Sequence, residues 1–331
     1  MGWKGTVRSI NAAAKRADRN AKKRQRELEL RRKQNAKMQE LEEAAYEVEV
    51  FENYIEIIQS MHKECGDEID WHSVLASKEP AKPSFFNRLE IHAVNQKEKY
   101  KPSFIDRLFK RVESKIKSFD RDIESAKKQD QVDFEKSIKK WQQDCKEWLE
   151  SIEQAKLLIA GVPEAKINTI KELDPFSELD KLGSSLHFSV SDNSLLTINV
   201  NIHGEDIIPN EQKSLLKSGK LLVKKMPVGK FNELYQDYVC SSVLRIAREA
   251  FAILPDEFIL INATDKLLNK VTGHLEEQNI LSVYISRSTL YGLNMESIDP
   301  SDSMQNFIHK MSFKPTKGFE AVPSVEFEVN V

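Results

Sequence analysis

Two short loops place a histidine beside two carboxylates, a combination that general acid–base catalysis and metal binding both use. The loops are HGED at residues 203–206 and HLEE at residues 274–277. Solvated turns are often built from the same residue types, so neither loop defines a catalytic set by itself. The residues that come nearest to such a set, in these loops and after a predicted strand, are Asp192, Glu205, Asp206, His274, Glu276 and Glu277.

Other signatures of cofactor or metal chemistry are missing from the sequence. Neither the P-loop pattern G-x-x-x-x-G-K-S/T nor the dinucleotide-binding pattern G-x-G-x-x-G occurs. His62 and Cys65 are spaced like half of a zinc site, but no second pair of ligands follows at a useful distance. His62 lies at the predicted end of a helix, where a positive side chain suits the helix dipole. We therefore expect neither a bound metal nor a cofactor.

The clearest functional signal is the basic stretch KRADRNAKKRQRELELRRKQNAK at residues 15–37. It predicts a helix whose side chains contact the phosphates of DNA or RNA. Aromatic residues for base stacking are absent, and mainly alanines are available opposite the charges, which disfavours a membrane surface. A solvated helix end and a contact with an acidic protein surface are the alternatives. The residues expected to contact nucleic acid are Lys15, Arg16, Arg19, Lys22, Lys23, Arg24, Arg26, Arg31, Arg32 and Lys33.

Charge is distributed unevenly along the 331 residues. Residues 1–37 contain thirteen Lys/Arg and three Asp/Glu, a net charge of +10, whereas the whole chain carries −2. Residues 38–331 therefore carry −12, which predicts a polyanionic partner or association of the basic arm with the protein's own acidic surface. Three scattered cysteines predict a reducing, cytoplasmic location, and the lack of an apolar segment of about 20 residues predicts no membrane association.

The first half of the chain predicts long helices. Residues 11–63 are rich in good helix formers, and an apolar stripe from Met38 to Met61 appears only in their second half. Residues 103–160 lack Gly and Pro and carry two apolar stripes, which fit either an antiparallel hairpin or one continuous rod. Such stripes predict coiled-coil packing against a protein partner or within a homo-oligomer.

A partial repeat lies between these helices. PSFFNRL at residues 83–89 is echoed by PSFIDRL at residues 102–108. We interpret both as helix starts in which Ser84 and Ser103 are the N-caps, and Asp106 completes a Ser-x-x-Asp capping box. A duplicated docking motif is the alternative interpretation.

The second half of the chain changes to short strands. HFSVS and LLTINVNI alternate in polarity and flank the turn SDNS, so residues 187–202 predict a hairpin. The other predicted strands are residues 221–226, 258–263, 280–286 and an edge strand or tail at 327–331. The predicted helices are residues 230–254, 288–293 and a last one from 299 or 301 to 310.

The predicted fold class is α+β, or α/β, with a long helical N-terminal half and a mixed sheet around one central helix. Residues 1–66 are assigned to a basic, then amphipathic helix. Residues 67–163 are assigned to a linker and a helical hairpin or rod. Residues 164–331 are assigned to the mixed-sheet domain.

The order of three strands, a long helix and a further strand resembles that of restriction-endonuclease-like cores. Such cores carry an Asp on one strand and an acid-x-Lys pair on the next, and these groups hold a divalent metal. Asp192 follows the first predicted strand, but the second strand contains neither an acid nor a lysine. Lys224 and Lys225, on the third, lack an acid two residues earlier. The resemblance is one of element order and implies an inactive domain of that kind.

These observations give three hypotheses about function. The first is a non-enzymatic interaction protein that binds nucleic acid through the basic helix and a protein partner through its coiled coil or C-terminal domain. The second is a hydrolase or nuclease-like C-terminal domain with an unusual site. The third is a structural helical spacer in an assembly.

Overall fold

The computed structural model describes residues 3–177, 185–191 and 193–326, and the side chains of residues 3–23, 27, 105, 205 and 206 are outside that description. Contacts along the chain define two compact units. Unit 1 combines Met1–Glu68 with Thr169–Val331, and unit 2 is Ile69–Asn168. Helix accounts for 55% of the structure and strand for 19%, which confirms the predicted mixture of a long helical region and a mixed-sheet domain.

Unit 1 begins with one long helix. Helix α1, Trp3–Ser60, continues into a 3₁₀ turn at Met61–Lys63. The predicted single helix is confirmed, because only Gly5 interrupts a run of residues that favour helix. The second half of α1 buries Ala44, Val48 and Ile58, whereas the described side chains of residues 24–40 are all exposed.

Unit 2 is built along a second long helix. Helix α5, Val112–Ile159, runs for 48 residues without a break, so this part of the predicted segment is a rod and not a hairpin. The rod does not start at residue 103, because Phe104–Leu108 form a separate helix. Preceding segments run antiparallel along it, as the 2.9 Å bond from Trp148 Nε1 to Ser77 Oγ and the 2.6 Å bond from Lys97 to Asp120 show. The shorter helices are α2 (Trp71–Leu75), α3 (Arg88–Lys99), α4 (Phe104–Leu108) and α6 (Pro163–Leu173), whose residues from Thr169 onward belong to unit 1.

The two copies of the repeat begin their helices differently. The capping box at Ser103 and Asp106 is confirmed, with reciprocal bonds of 3.2 and 3.4 Å between backbone N–H and side chain. The N-cap predicted at Ser84 is wrong, because α3 begins only at Arg88. There the carboxylate of Asp130 on α5 accepts the N–H groups of Leu89 and Glu90 at 3.2 and 2.9 Å, so a tertiary contact replaces the local cap.

The mixed sheet of unit 1 has six strands in the order β1-β2-β5-β6-β7-β8. All neighbouring strands are antiparallel except β2 and β5, which are parallel, and the predicted β1–β2 hairpin is confirmed. The strands are β1 (Ser185–Val190), β2 (Leu196–Asn201), β3 (Glu211–Leu215), β4 (Leu221–Lys225), β5 (Phe258–Leu268), β6 (Leu275–Ser286), β7 (Ile308–Lys314) and β8 (Gly318–Glu320).

The strand predicted at residues 221–226 forms as β4, but it pairs only with β3 in a separate two-stranded sheet. The connection from β2 to β5 contains α7 (Gly204–Ile207), the β3–β4 hairpin and α8 (Val228–Ile253). Two short helices follow, α9 (Arg287–Tyr291) and α10 (Pro300–Ser303). The helix predicted to run to residue 310 is wrong beyond a 3₁₀ turn at Met304–Asn306, since β7 begins at Ile308. The prediction at residues 327–331 lies outside the described residues.

Helix α8 is the centre of the core of unit 1. Most of its residues are buried on every side, as expected for a helix that packs against both a sheet and α1. The sheet turns one alternating set of side chains toward α8, so that Met311 lies 4.0 Å from the thiol of Cys240. The same set includes the fully buried residues Leu196, Ile198, Val200, Ile259, Ile261, Ala263, Leu281, Val283 and Ile285.

Candidate nucleic-acid interface

The end of α1 is attached to the middle of α8 through His62, which is almost fully buried. Its backbone N–H donates to Ser241 Oγ at 3.0 Å, and its Nε2 lies 3.1 Å from the carbonyl oxygen of Met295. Because a carbonyl only accepts, Nε2 carries the proton, and Nδ1 accepts from Ser241 Oγ at 2.9 Å. Burial lowers the pKa of His62. Burial against α8 therefore favours the neutral imidazole over the positive helix-end side chain that the sequence predicts.

A neighbouring arginine takes over the role of a positive charge at the end of the helix. Arg248 on α8 donates from one guanidinium nitrogen to the carbonyl oxygens of His62 and Lys63, at 2.6 and 2.8 Å. Carbonyl groups at a helix end lack intrahelical partners and carry the negative end of the dipole. Arg245, one turn earlier, pairs with Glu64 at 2.9 Å. The chain that follows α1 is therefore fixed to α8 by charged as well as neutral hydrogen bonds.

The middle of α1 rests on the β3–β4 hairpin. Lys213 and Lys220 of this hairpin pair with Glu47 and Glu40 of α1 at 2.9 and 3.1 Å. Between the two pairs, Gly219 has a φ of +81°, and a Cβ built on it would lie 3.0 Å from the side chain of Leu41. These contacts, together with the His62 attachment, hold α1 from about residue 40 onward.

The basic residues lie on the part of α1 that precedes these contacts. The five with described side chains, Arg24, Arg26, Arg31, Arg32 and Lys33, are all exposed. At about 100° of rotation per residue, Arg26 and Lys33 fall on one side of the helix, and the other three fall on the opposite side. The other five residues predicted to contact nucleic acid belong to α1, but the structure does not describe their side chains. They are Lys15, Arg16, Arg19, Lys22 and Lys23.

The catalytic candidates do not converge among the side chains that the structure describes. His274 is exposed in the turn between β5 and β6. The carboxylate of Glu276 accepts hydrogen bonds from Asn269 and Thr272 at 2.7 and 2.5 Å, and these bonds lower its pKa. Strand alternation places Glu277 on the other face of β6, where it accepts a hydrogen bond from Asn201.

The other three candidates have no described side-chain geometry. Asp192 is outside the described residues, and Glu205 and Asp206 belong to α7 with side chains outside the description. Among the described His, Cys, Asp and Glu residues, no group of three could hold a metal ion. Within the same part of the chain, no helix combines the length and apolar character that crossing a membrane requires.

Sequence reasoning missed a second apolar face on α1. In the predicted stripe Val48, Ile58 and Met61 are buried, whereas Met38 at its start is exposed. Leu28, Tyr46, Val50 and Ile57 are exposed on the opposite side of the helix. Each has a glutamate as a direct neighbour in the sequence, and three of them lie in the same segment as the predicted stripe, so they were not separated from it. Their common helical phase is the signal that identifies them.

No protein-family model, no curated protein and no solved structure matches this chain significantly.

Proposed function

We propose that this chain is a non-enzymatic nucleic-acid-binding protein and that the basic part of α1 is its phosphate-contacting arm. The observation that supports this proposal is the exposure of Arg24, Arg26, Arg31, Arg32 and Lys33 on a helix whose described side chains first contact the rest of unit 1 near residue 40. A single α-helix fits the major groove of duplex DNA, and its basic side chains reach the phosphates on both sides of the groove.

The arm supplies affinity without base sequence selectivity. Each arginine or lysine that neutralises a phosphate releases counterions, so binding weakens steeply as salt concentration rises. The arm has no aromatic residue between Trp3 and Tyr46 for stacking on bases, which favours duplex over single-stranded nucleic acid. Unit 2 and the sheet of unit 1 are then available for a protein partner, as the sequence predicts.

The test is a titration of fluorescent DNA and RNA duplexes with the full chain across a salt series. In the test variant, Arg26, Lys33 and Lys37 on one side of α1 are changed to alanine. The control variant removes the same charge from α5 by changing the exposed Lys136, Lys139 and Lys140 to alanine. We expect the slope of log affinity against log salt to fall by roughly 1 for each arm residue removed and to stay unchanged in the control.

Two results would contradict the proposal. The first is equal affinity of the wild type and the arm variant at low salt, because phosphate contacts dominate there. The second is an equal loss in the arm variant and in the α5 control, which would indicate a general effect of net charge. Circular dichroism of each variant checks that α1 stays helical.

A further inference from the structure

Helix α1 has two apolar faces, and only one of them is used within unit 1. Ala44, Val48 and Ile58 face the body and are buried. Tyr46, Val50 and Ile57 lie on the opposite side with 68%, 48% and 54% of their surfaces exposed. At 100° per residue these three positions fall within about 40° of one another. They form one straight stripe along the anchored half of α1.

One apolar residue in the basic half of the helix has the same phase, with Arg32, Asn35, Gln39 and Glu42 between it and Tyr46 on this side. Leu28 is five full turns before Tyr46, and 56% of its surface is exposed. We call the side of α1 that carries Leu28, Tyr46, Val50 and Ile57 the outward face. Tyr46, Val50 and Ile57 are grouped on this face, and a grouped set of exposed apolar side chains indicates a contact that the isolated chain does not make.

The net charge along α1 changes sign between residues 37 and 38. Residues 1–37 carry +10, whereas residues 38–68 contain ten Asp/Glu and one Lys and carry −9. The outward face follows this division, since its charged residues before the boundary are basic and those after it are acidic. They are Arg24, Arg31, Arg32, Glu42, Glu43 and Glu49.

We propose that α1 pairs antiparallel with α1 of a second copy of this chain, through the outward face and around a two-fold axis near residue 37. Arg32 of one copy then lies opposite Glu42 of the other, and Arg31 lies opposite Glu43. The next turn brings Leu28 against Tyr46. Each contact occurs twice because the interface is isologous. The interface therefore has an apolar Leu28–Tyr46 contact at each end and opposite charges and the polar pair Asn35–Gln39 between them.

The charge pattern favours a second copy of the chain as the partner and an antiparallel orientation of the two helices. A parallel pair would place arginine beside arginine and glutamate beside glutamate along the whole seam, which is unfavourable. A generic acidic partner would satisfy the basic half and leave the acidic half, with its exposed Tyr46, unpaired. An antiparallel second copy satisfies both halves at once, over a helical overlap of about 70 Å.

The pairing goes beyond the proposed function and is compatible with it. Arg26, Lys33 and Lys37 lie on the side of α1 away from the outward face, so they stay available to phosphates in the dimer. Arg24, Arg31 and Arg32 belong to both proposals, but the phosphate test changes only Arg26, Lys33 and Lys37. The association of the chains is measured without nucleic acid, so the two proposals can fail separately.

The first experiment uses two charge reversals of the full chain and sedimentation velocity. One variant is Glu42→Arg/Glu43→Arg, and the other is Arg31→Glu/Arg32→Glu. In a dimer of either variant with itself, residues 31 and 32 of one copy lie opposite residues of the same charge in the other. We therefore expect the dimer dissociation constant to rise roughly tenfold or more. An equimolar mixture restores opposite charges at all four positions and is expected to dimerise like the wild type. Lys33→Glu/Lys37→Glu is the matched control and is expected to leave the dimer unchanged.

The second experiment tests the orientation. Antiparallel pairing around residue 37 places Asn35 of one copy opposite Gln39 of the other. A chain with Asn35→Cys mixed with a chain with Gln39→Cys should give mainly the mixed disulfide under mild oxidation. A wild-type chain that is monomeric at about 100 µM, or reversals that do not dimerise when mixed, would overturn the proposal. Disulfides formed mainly between two Asn35→Cys chains would also overturn it, because they require a parallel pair.

Discussion

The imidazole of His62 and the hydroxyl of Ser241 lie 2.9 Å apart, and this hydrogen bond joins the end of the longest helix to the middle of the most buried one. Both side chains are enclosed, and Ser241 has no exposed surface. A serine beside a histidine can form part of a nucleophilic site. Here the second ring nitrogen bonds to the carbonyl of Met295 rather than to a carboxylate. The pair therefore attaches α1 to the fold of unit 1.

Replacing Ser241 by alanine is expected to lower the free energy of unfolding by about 1–3 kcal/mol. The change leaves both Nδ1 and the backbone N–H of His62 buried without the hydroxyl that they share. Urea unfolding followed by circular dichroism measures the effect. Ser118→Ala is the control, since its hydroxyl bonds only to an exposed turn of α5, and it should change stability by less than about 0.5 kcal/mol. Equal effects of the two changes would contradict the attachment.

The stability of the protein is expected to fall in mildly acidic solution because of His62. Its folded-state pKa is lowered from 6.5 by burial, so the unfolded chain binds the proton first as the pH decreases. The neutral ring contributes fully to the free energy of unfolding above pH 6.5. This contribution is lost as the pH falls toward the lower pKa of the folded state. The slope that one proton can cause is at most about 1.4 kcal/mol per pH unit.

The pH effect is measured as a difference between two proteins. Unfolding free energies of the wild type and of His62→Gln are compared from pH 7.5 to 5, so that contributions of other titrating groups cancel. The wild type should lose more stability than the variant over this range. Parallel curves would show that His62 is not buried in its neutral form.

Removing the carboxylate of Asp130 is expected to destabilise unit 2. Asp130 is buried and accepts the first N–H groups of α3, those of Leu89 and Glu90. Asp130→Ala should cost about 1–2 kcal/mol, the usual effect of losing a helix cap. Asp133→Ala, at an exposed position one turn later on α5, is the control. Hydrogen exchange at the start of α3 gives the local readout, and it should accelerate only in Asp130→Ala.

Two glycines provide a matched test of the contact between α1 and the β3–β4 hairpin. Gly219 and Gly273 have φ angles of +81° and +73°, so alanine at either position costs about 1 kcal/mol of backbone strain. Only at Gly219 does the new Cβ meet a neighbour, Leu41 on α1, whereas Gly273 has open space. Gly219→Ala should therefore destabilise more than Gly273→Ala in thermal unfolding. Equal losses would mean that Leu41 moves aside freely.

Local patterns in the sequence were sufficient for most individual elements. The long helix α1 and the β1–β2 hairpin follow from residue preferences and apolar periodicity within the elements themselves. The capping box at Ser103 and Asp106 is equally local, since its two partners are three residues apart. The position of the basic stretch on a helix could likewise be predicted, because its composition allows little else.

Elements whose form depends on distant partners could not be predicted in this way. The segment from Ile308 reads as the end of a helix, yet it becomes β7 because β6 offers a free edge to pair with. Ser84 reads as an N-cap, yet Asp130, more than forty residues away, caps α3 instead. In both places a tertiary hydrogen bond outweighs a local preference. The spacing of residues in the sequence does not indicate which distant residue will form that bond.

By itself, the sequence determined which residues are charged, that α1 is helical and where the charge of α1 changes sign. Only the tertiary structure decided which side of α1 is covered. The anchored stripe and the outward face contain similar apolar residues, and the packing of α8 and the β3–β4 hairpin buries one of them and leaves Tyr46, Val50 and Ile57 exposed. Helical periodicity fixes the phase of each face, but burial depends on the neighbours that the fold brings to it.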